Sequence, residues 1–394
     1  MRPTFSSRTR WNLAPNRLAA AVEARRRRGE RILDLTESNP TRCGLAPAGP
    51  QVLAALASAE SLRYDPHPRG LLGAREAVAA LYGGRGVALG ADRIVLTAST
   101  SEAYAHLFRL LADPGDAVLV PSPCYPLFDF LARINDVVLK PYLLVEEDGF
   151  RIDLGTVEEA AAEGARAILV VNPGNPTGAY LKADERHALA DLCARRGMAL
   201  VGDEVFSDFP LVPDAGRAAS VAGEARALTF VLDGISKMLA LPQMKLGWIA
   251  ASGPPEVLEE ALGRLEVIAD TYLSVNTPVQ AALPGLLALR PAVQAAIRAR
   301  LEANLRALEA ILAPPHPVRP LPVEGGWSAV LRVPATRGDE TWALDLLEGE
   351  GVLVHPGFLF DFPCEGRLVV SLLPEEGVFR EGVDRLARRL ARPD

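Results

Sequence analysis

Between positions 94 and 231 short apolar runs alternate with helical stretches, and this alternation constrains the fold more than any other feature of the chain. Segments 94–97, 117–120, 137–142, 167–171, 199–201 and 228–231 have the length and apolar content of strands. Segments 101–112, 125–134 and 182–196 have the amphipathic spacing of helices. Strands and helices in turn predict a mostly parallel sheet with helices on both faces. In such sheets ligands sit beyond the carboxyl ends of the strands.

The chain is too long, at 394 residues, for a single core. Around 280–313 the pattern becomes long Ala-, Leu- and Arg-rich helix, and beyond the Pro-rich stretch 314–322 come shorter strands and a last helix over 376–390. The expected division is an N-terminal arm over 1–45, a large α/β domain over 46–285 and a smaller α+β domain over 286–394, with the arm packing on the smaller domain.

A net charge of −7 argues against nucleic acid as a partner. The run Arg25 to Arg28 closes a helical pattern just before Gly29, where cations oppose the negative end of the helix dipole. Cys43, Cys124, Cys193 and Cys364 are scattered without a CxxC pair, and the five histidines lack metal-ligand spacing. No apolar segment reads as a signal peptide or a membrane span. The expectation is a cytoplasmic protein with reduced thiols, no metal, no membrane and no nucleic acid.

Four features follow or open predicted strands. Asn172-Pro173-Gly174-Asn175-Pro176-Thr177-Gly178 follows an apolar run, Asp203 and Glu204 follow the next, and Ser236-Lys237 follows the strand at 228–231. Arg367 opens an apolar run near the C-terminus. The first three are about one βα unit apart, so they can converge on one rim of the sheet. Each alone has a plain structural explanation as a turn, a cap or a solvated charge. An amide, an acid, an amine and an arginine in this arrangement point to a built site.

On these motifs the chain resembles the class I/II aminotransferases, fold-type-I enzymes that use pyridoxal 5′-phosphate (PLP). The resemblance implies that Lys237 joins the cofactor covalently and that Asp203 pairs with its pyridine nitrogen. It further implies that Asn175 bonds the ring 3-oxygen and that Tyr125 stacks on the ring. Ser99, Thr100, Ser101, Ser236 and Lys245 match the phosphate site, which a helix N-terminus suits. Tyr64 matches a tyrosine that reaches the neighbouring subunit's phosphate, which implies a homodimer with shared active sites. Arg367 resembles the arginine that grips the substrate α-carboxylate, Ser38 lies where the backbone touches the same group, and Asn175 is expected to touch substrate as well as cofactor. Gly325-Gly326-Trp327 and His355 to Phe358 match segments near the substrate side chain.

Three positions depart from the pattern. Phe206 stands where many relatives have tyrosine, Gly234 where serine is common, and Lys245 where most have arginine. The expected activity is amino transfer between an α-amino acid and a 2-oxo acid in two half-reactions. The alternative is another fold-type-I reaction, a C–S β-lyase or a decarboxylase. A PLP-binding regulator is disfavoured on the expectation that the N-terminal segment leaves no room for a DNA-binding domain. For the substrate, the loop 270–278 offers an aromatic ring, hydroxyls and no cation, which favours a neutral or aromatic donor.

Overall fold

The computed structural model describes residues 5–47, 49–273 and 275–392, so Ser274 of the 270–278 loop lies outside the described residues. After β1 (Leu33–Asp34) come the strands of one large sheet: β2 (Ile94–Thr97), β3 (Ala117–Ser122), β4 (Val138–Val145), β5 (Arg151–Ile152), β6 (Ala165–Val171), β7 (Ala199–Asp203), β8 (Thr229–Gly234) and β9 (Gly247–Ser252). Their order across the sheet is β2-β9-β8-β7-β6-β3-β4-β5. β9 and β5 run against the other six.

The central strands are buried on both faces, which is why they read as continuous apolar runs. Along β6, Ile168 and Val170 enter one apolar cluster, while Ala167 and Leu169 enter the cluster on the other side. That alternation is the period of two that a pleated strand imposes. Helix Thr100–Leu111 packs through Ala103 and Leu107 into the second of these clusters, and helix Ala183–Arg196 through Leu189 and Cys193 into the first. Both flanks of the sheet are thereby covered.

The C-terminal part adds β10 (Arg319–Pro320), β11 (Ser328–Arg332), β12 (Val352–Leu353), β13 (His355–Pro356) and β14 (Arg367–Ser371). Four of these form an antiparallel sheet in the order β10-β11-β14-β13. β1 pairs in parallel with β12, so the two chain ends are stitched together by backbone hydrogen bonds. Leu18, Val22, Leu33 and Leu35 share an apolar cluster with Leu301, Leu308, Val352 and Phe379. The smaller α+β unit is therefore built from both ends of the chain.

Two details differ from expectation. The segment 280–313 is two helices, Thr277–Leu287 and Arg290–Ile311. Pro291 sits in the first turn of the second, where its missing N–H costs nothing and its ring stops the first helix from running on. β9 was not expected, because it runs back antiparallel beside β8 after only a four-residue helix and a turn, outside the strand-helix alternation. The arginines of 25–28 are partly neutralised locally: Arg25 and Arg28 both pair with Glu30, at 3.2 and 2.6 Å.

One buried charge cluster ties the end of β8 to the helices behind it. Arg85, just past helix Leu72–Gly84, bonds Asp233 at 3.1 Å and Asp208 at 3.0 Å, and Asp208 also accepts from Gln294 at 2.6 Å. Burial pushes the Asp233 carboxyl up to about 7, with Arg85 pulling the other way. Arg85→Ala is expected to cost about 3–5 kcal/mol, because it leaves buried carboxylates unpaired. The sign of its pH dependence follows from the raised native value. The native state holds this proton more tightly than the unfolded chain, so the stabilising contribution is full below about 3.8 and lost as pH rises through about 7. Without Arg85 that loss is steeper. Urea unfolding should show a larger wild-type-to-variant gap at pH 8 than at pH 5, and an equal gap would contradict the role assigned to Asp233.

Candidate active site

The strand register decides which loops meet. Val171 of β6 lies beside Asp203 of β7, and Asp203 beside Leu232 of β8. The segments that follow these strands therefore emerge side by side at the carboxyl end of the sheet. They open on a cavity of about 230 Å³ between the large sheet and the smaller unit. Ser38, Thr100, Ser101, Tyr125, Asn175, Asp203, Phe206, Ser236 and Lys237 all line it. Ser99, Lys245, Arg367 and Tyr64 do not.

Asp203 is the last residue of β7 and is 8% exposed. Its Oδ2 accepts from the Tyr104 hydroxyl at 2.8 Å and its Oδ1 from the Val205 N–H at 3.2 Å. Burial raises its pKa, while the bonds from Tyr104 and Val205 and the charge of Lys237 pull it down. Glu204, one residue on, points the other way and is held by Ser220 and the Val221 N–H. Alternation along the extended chain thus assigns one acid to the cavity and the other to the core.

Lys237 lies in the short helix Ile235–Met238 directly after β8. Its Nζ is 5.1 Å from the centre of the Trp327 ring and 5.6 Å from that of Phe206. Burial among these aromatic faces lowers its pKa, and the nearby Asp203 charge opposes that shift. The site therefore presents an amine inclined to lose its proton beside an acid inclined to keep one.

The end of the cavity beside the start of helix Thr100–Leu111 is shaped by two glycines. A Cβ on Gly247 would sit 3.4 Å from the Thr100 amide nitrogen, and a Cβ on Gly234 would sit 2.9 Å from the Gly247 Cα. Only bare backbone lets β8 and β9 pack this closely against the start of helix Thr100–Leu111. Thr100 and Ser101 then offer hydroxyls at a helix N-terminus, and Ser236 a third from the opposite side. The serine expected at 234 would collide with β9, which is the physical reason for glycine there. Ser99 is the N-cap of this helix, its hydroxyl accepting from the Glu102 N–H at 3.1 Å. Lys245 is exposed, with a left-handed backbone at φ 55°, two residues before β9.

Tyr125 is 39% exposed at the cavity mouth, its ring edge-on to Phe128. Tyr64 is 80% exposed. Tyr104 was missed from the sequence, although it holds the key acid. The one available signal was its place on the helix that begins at Ser99 to Ser101, where a phosphate site was expected. Val369 and Ser371 of β14 also line the cavity and were not expected there.

β14 places Arg367, expected at the substrate carboxylate, outside the lining of the cavity. Arg367 is 9% exposed and its guanidinium is consumed within the protein. Nε and Nη2 form a two-bond fork with the Glu146 carboxylate at 2.6 and 2.8 Å, and Nη1 donates to the Glu365 and Gly366 carbonyls. Glu146 also pairs with Arg332 of β11. Arg367 therefore fastens the smaller sheet to the turn after β4. Arg367→Lys is expected to cost about 1.5–3 kcal/mol of stability through the lost fork. A double-mutant cycle with Glu146→Gln should show coupling of about 0.5–3 kcal/mol. A large rise in donor KM with unchanged unfolding would return Arg367 to the substrate.

Comparison with known proteins identifies the family and the fold. Residues 32–386 match the family model "Aminotransferase class I and II". The chain is similar to an alanine aminotransferase of Mycobacterium tuberculosis, 29% identical over 94% of this chain and 88% of the relative. It is also similar to a tyrosine aminotransferase of Caenorhabditis elegans, 26% identical over 88% of this chain and 76% of the relative. In fold it is similar to an alanine aminotransferase structure from Pyrococcus furiosus, with a TM-score of 0.89 and 21% identity over 98% of this chain and 99% of the other. With the family model spanning almost the whole chain, and an amine, an acid and a helix N-terminus meeting in one cavity, the protein belongs to the class I and II aminotransferases, which are PLP-dependent enzymes.

Proposed function

We propose that the cavity described above is the PLP site and that each of its polar groups has a separate task in amino transfer. The observation that carries this reading is the meeting of Lys237, Asp203 and the first turn of helix Thr100–Leu111 in one cavity. When bound, PLP supplies an electron sink for the bond broken at the substrate carbon that bears nitrogen. Lys237 Nζ anchors the cofactor and then, as a free amine, takes and returns the proton at that carbon. Its lowered pKa keeps a neutral fraction available for this work.

Asp203, oriented by Tyr104, would as a carboxylate keep a proton on the pyridine nitrogen. Asn175 would offer its amide to the ring 3-oxygen, and Phe206, having no hydroxyl, would add no second donor beside it. Thr100, Ser101 and Ser236 hold the phosphate with the helix N-terminus. Ser99 serves this site by capping the helix, and Lys245 supplies positive charge from the rim. Tyr125 covers the ring. Ser38 stands at the cavity mouth on the substrate side.

The substrates expected of the family are an amino acid and a 2-oxo acid. The domain division follows 1–45, 46–285 and 286–394, supported by the apolar cluster that Leu18 and Leu33 share with C-terminal residues. A homodimer is supported by Leu62 and Tyr64, 92% and 80% exposed within three residues of each other, a surface that association would cover. No helix among the described residues is long and apolar enough to cross a membrane, and with scattered free cysteines we place the protein in the cytoplasm.

Two variants test the assignment. Lys237→Ala should abolish the visible absorption band that wild-type protein acquires with PLP. Asp203→Ala should still take up PLP but lose about 3–5 kcal/mol of transition-state stabilisation, roughly a hundredfold or more in the single-turnover rate with a good donor. Near-normal turnover in Asp203→Ala would remove it from the mechanism. Release of ammonia or carbon dioxide by wild type, with no pyridoxamine form produced, would favour the lyase or decarboxylase alternative.

A further inference from the structure

The wall that β14 gives to the cavity is apolar where a carboxylate grip was expected. Arg367, Val369 and Ser371 share one face of the strand by its period of two, yet only Val369 and Ser371 reach the cavity. Val369 packs with Val330 and Phe360 in an apolar cluster of its own. Its register partner on β13 is His355, whose ring lies 5.7 Å from that of Phe360. Leu127, Phe128 and Leu131 face the same space from the helix after β3.

Among the described residues that line the cavity there is no arginine, and the basic side chains are Lys237 and His355. Lys237 is committed to the cofactor. His355 has its pKa lowered by burial, so it offers a neutral imidazole rather than a cation. Arg367 cannot be borrowed without breaking its fork to Glu146 and its bonds to two carbonyls. What remains for the group beside the reacting nitrogen is neutral: the hydroxyls of Thr36, Ser38, Ser328 and Ser371, the Asn175 amide and the His355 ring. A carboxylate buried here would lose its water without gaining a cation, which is costly. A neutral group of the same size would not face that cost.

Resting on the aminotransferase reading above, we propose that the specific amino donor is a hydrophobic primary amine whose nitrogen-bearing carbon carries an uncharged group, such as a carboxamide, a hydroxymethyl group or hydrogen, and that Val369 sets this preference. Such a donor gives up its amino group and one hydrogen from the same carbon, is oxidised by two electrons, and leaves as the matching aldehyde or ketone. A carbonyl acceptor takes the nitrogen, is reduced by the same two electrons, and gives up its oxygen. No outside oxidant is required.

The experiment compares unreactive probes and reactive donors on the holoenzyme. By calorimetry, 3-phenylpropionamide should bind at least tenfold more tightly than 3-phenylpropionate, and Val369→Arg should reverse the order. In single turnover, 2-phenylethylamine and L-phenylalaninamide should convert the PLP form at least tenfold faster than L-phenylalanine. Equal or tighter binding of the carboxylate probe by wild type, or faster conversion of L-phenylalanine, would overturn the proposal. The wild-type comparison decides the matter even where Val369→Arg does not fold. If no donor of any kind produces the pyridoxamine form, it is the aminotransferase reading that has failed, and the calorimetric ranking still tests the cavity by itself.

Discussion

A buried amine beside a buried acid is the constraint around which the rest of the fold is arranged. Neither Lys237 nor Asp203 would be kept at such a depth for stability, since burial penalises both charged forms. Both are held there by backbone that has no choice. Asp203 ends β7 in register with its neighbours, and Lys237 follows β8 within three residues. The parallel sheet converts a requirement on two side chains into a requirement on strand length and register. The apolar alternation that buries both faces of the sheet therefore also aligns the chemistry.

The same logic explains residues that touch neither group. Gly234 and Gly247 matter because β8 and β9 must approach each other and the first turn of helix Thr100–Leu111 at backbone distance. Tyr104 sits on that helix, so the element whose N-terminus opens on the cavity also orients the acid on its opposite side. One helix thereby shapes two parts of the cavity, and its N-cap at Ser99 fixes where it begins.

Much of this was legible in the sequence. The βα alternation is a local periodicity, and the segments carrying Asn175, Asp203 and Lys237 follow strands in chain order, so their convergence could be argued without coordinates. Arg367 was not legible in the same way. Positions 367, 369 and 371 share a strand face, and nothing local says which of them looks into the cavity. The answer lies in Glu146, more than two hundred residues earlier, whose carboxylate takes the guanidinium. Tyr104 was hidden for a related reason, because an aromatic residue on the buried face of a helix reads as core until the acid opposite is known. β9 and the break at Pro291 were missed because short antiparallel strands and first-turn prolines leave weak periodic signals.

The ion pairs around Glu146 have a consequence for specificity. Glu146 holds Arg332 of β11 and Arg367 of β14 at once, and so joins the two central strands of the smaller sheet to the turn that follows β4. Both guanidinium groups are thereby kept out of the cavity while their strands are fixed beside it. A cation that serves as a structural tie cannot also serve as a substrate clamp, because the fork can satisfy one carboxylate at a time. The wall is left to Val369, Phe360 and Trp327, whose shape and lack of charge then become the means of selection. In a cavity of this kind discrimination comes from the cost of desolvating the wrong group rather than from a strong bond to the right one.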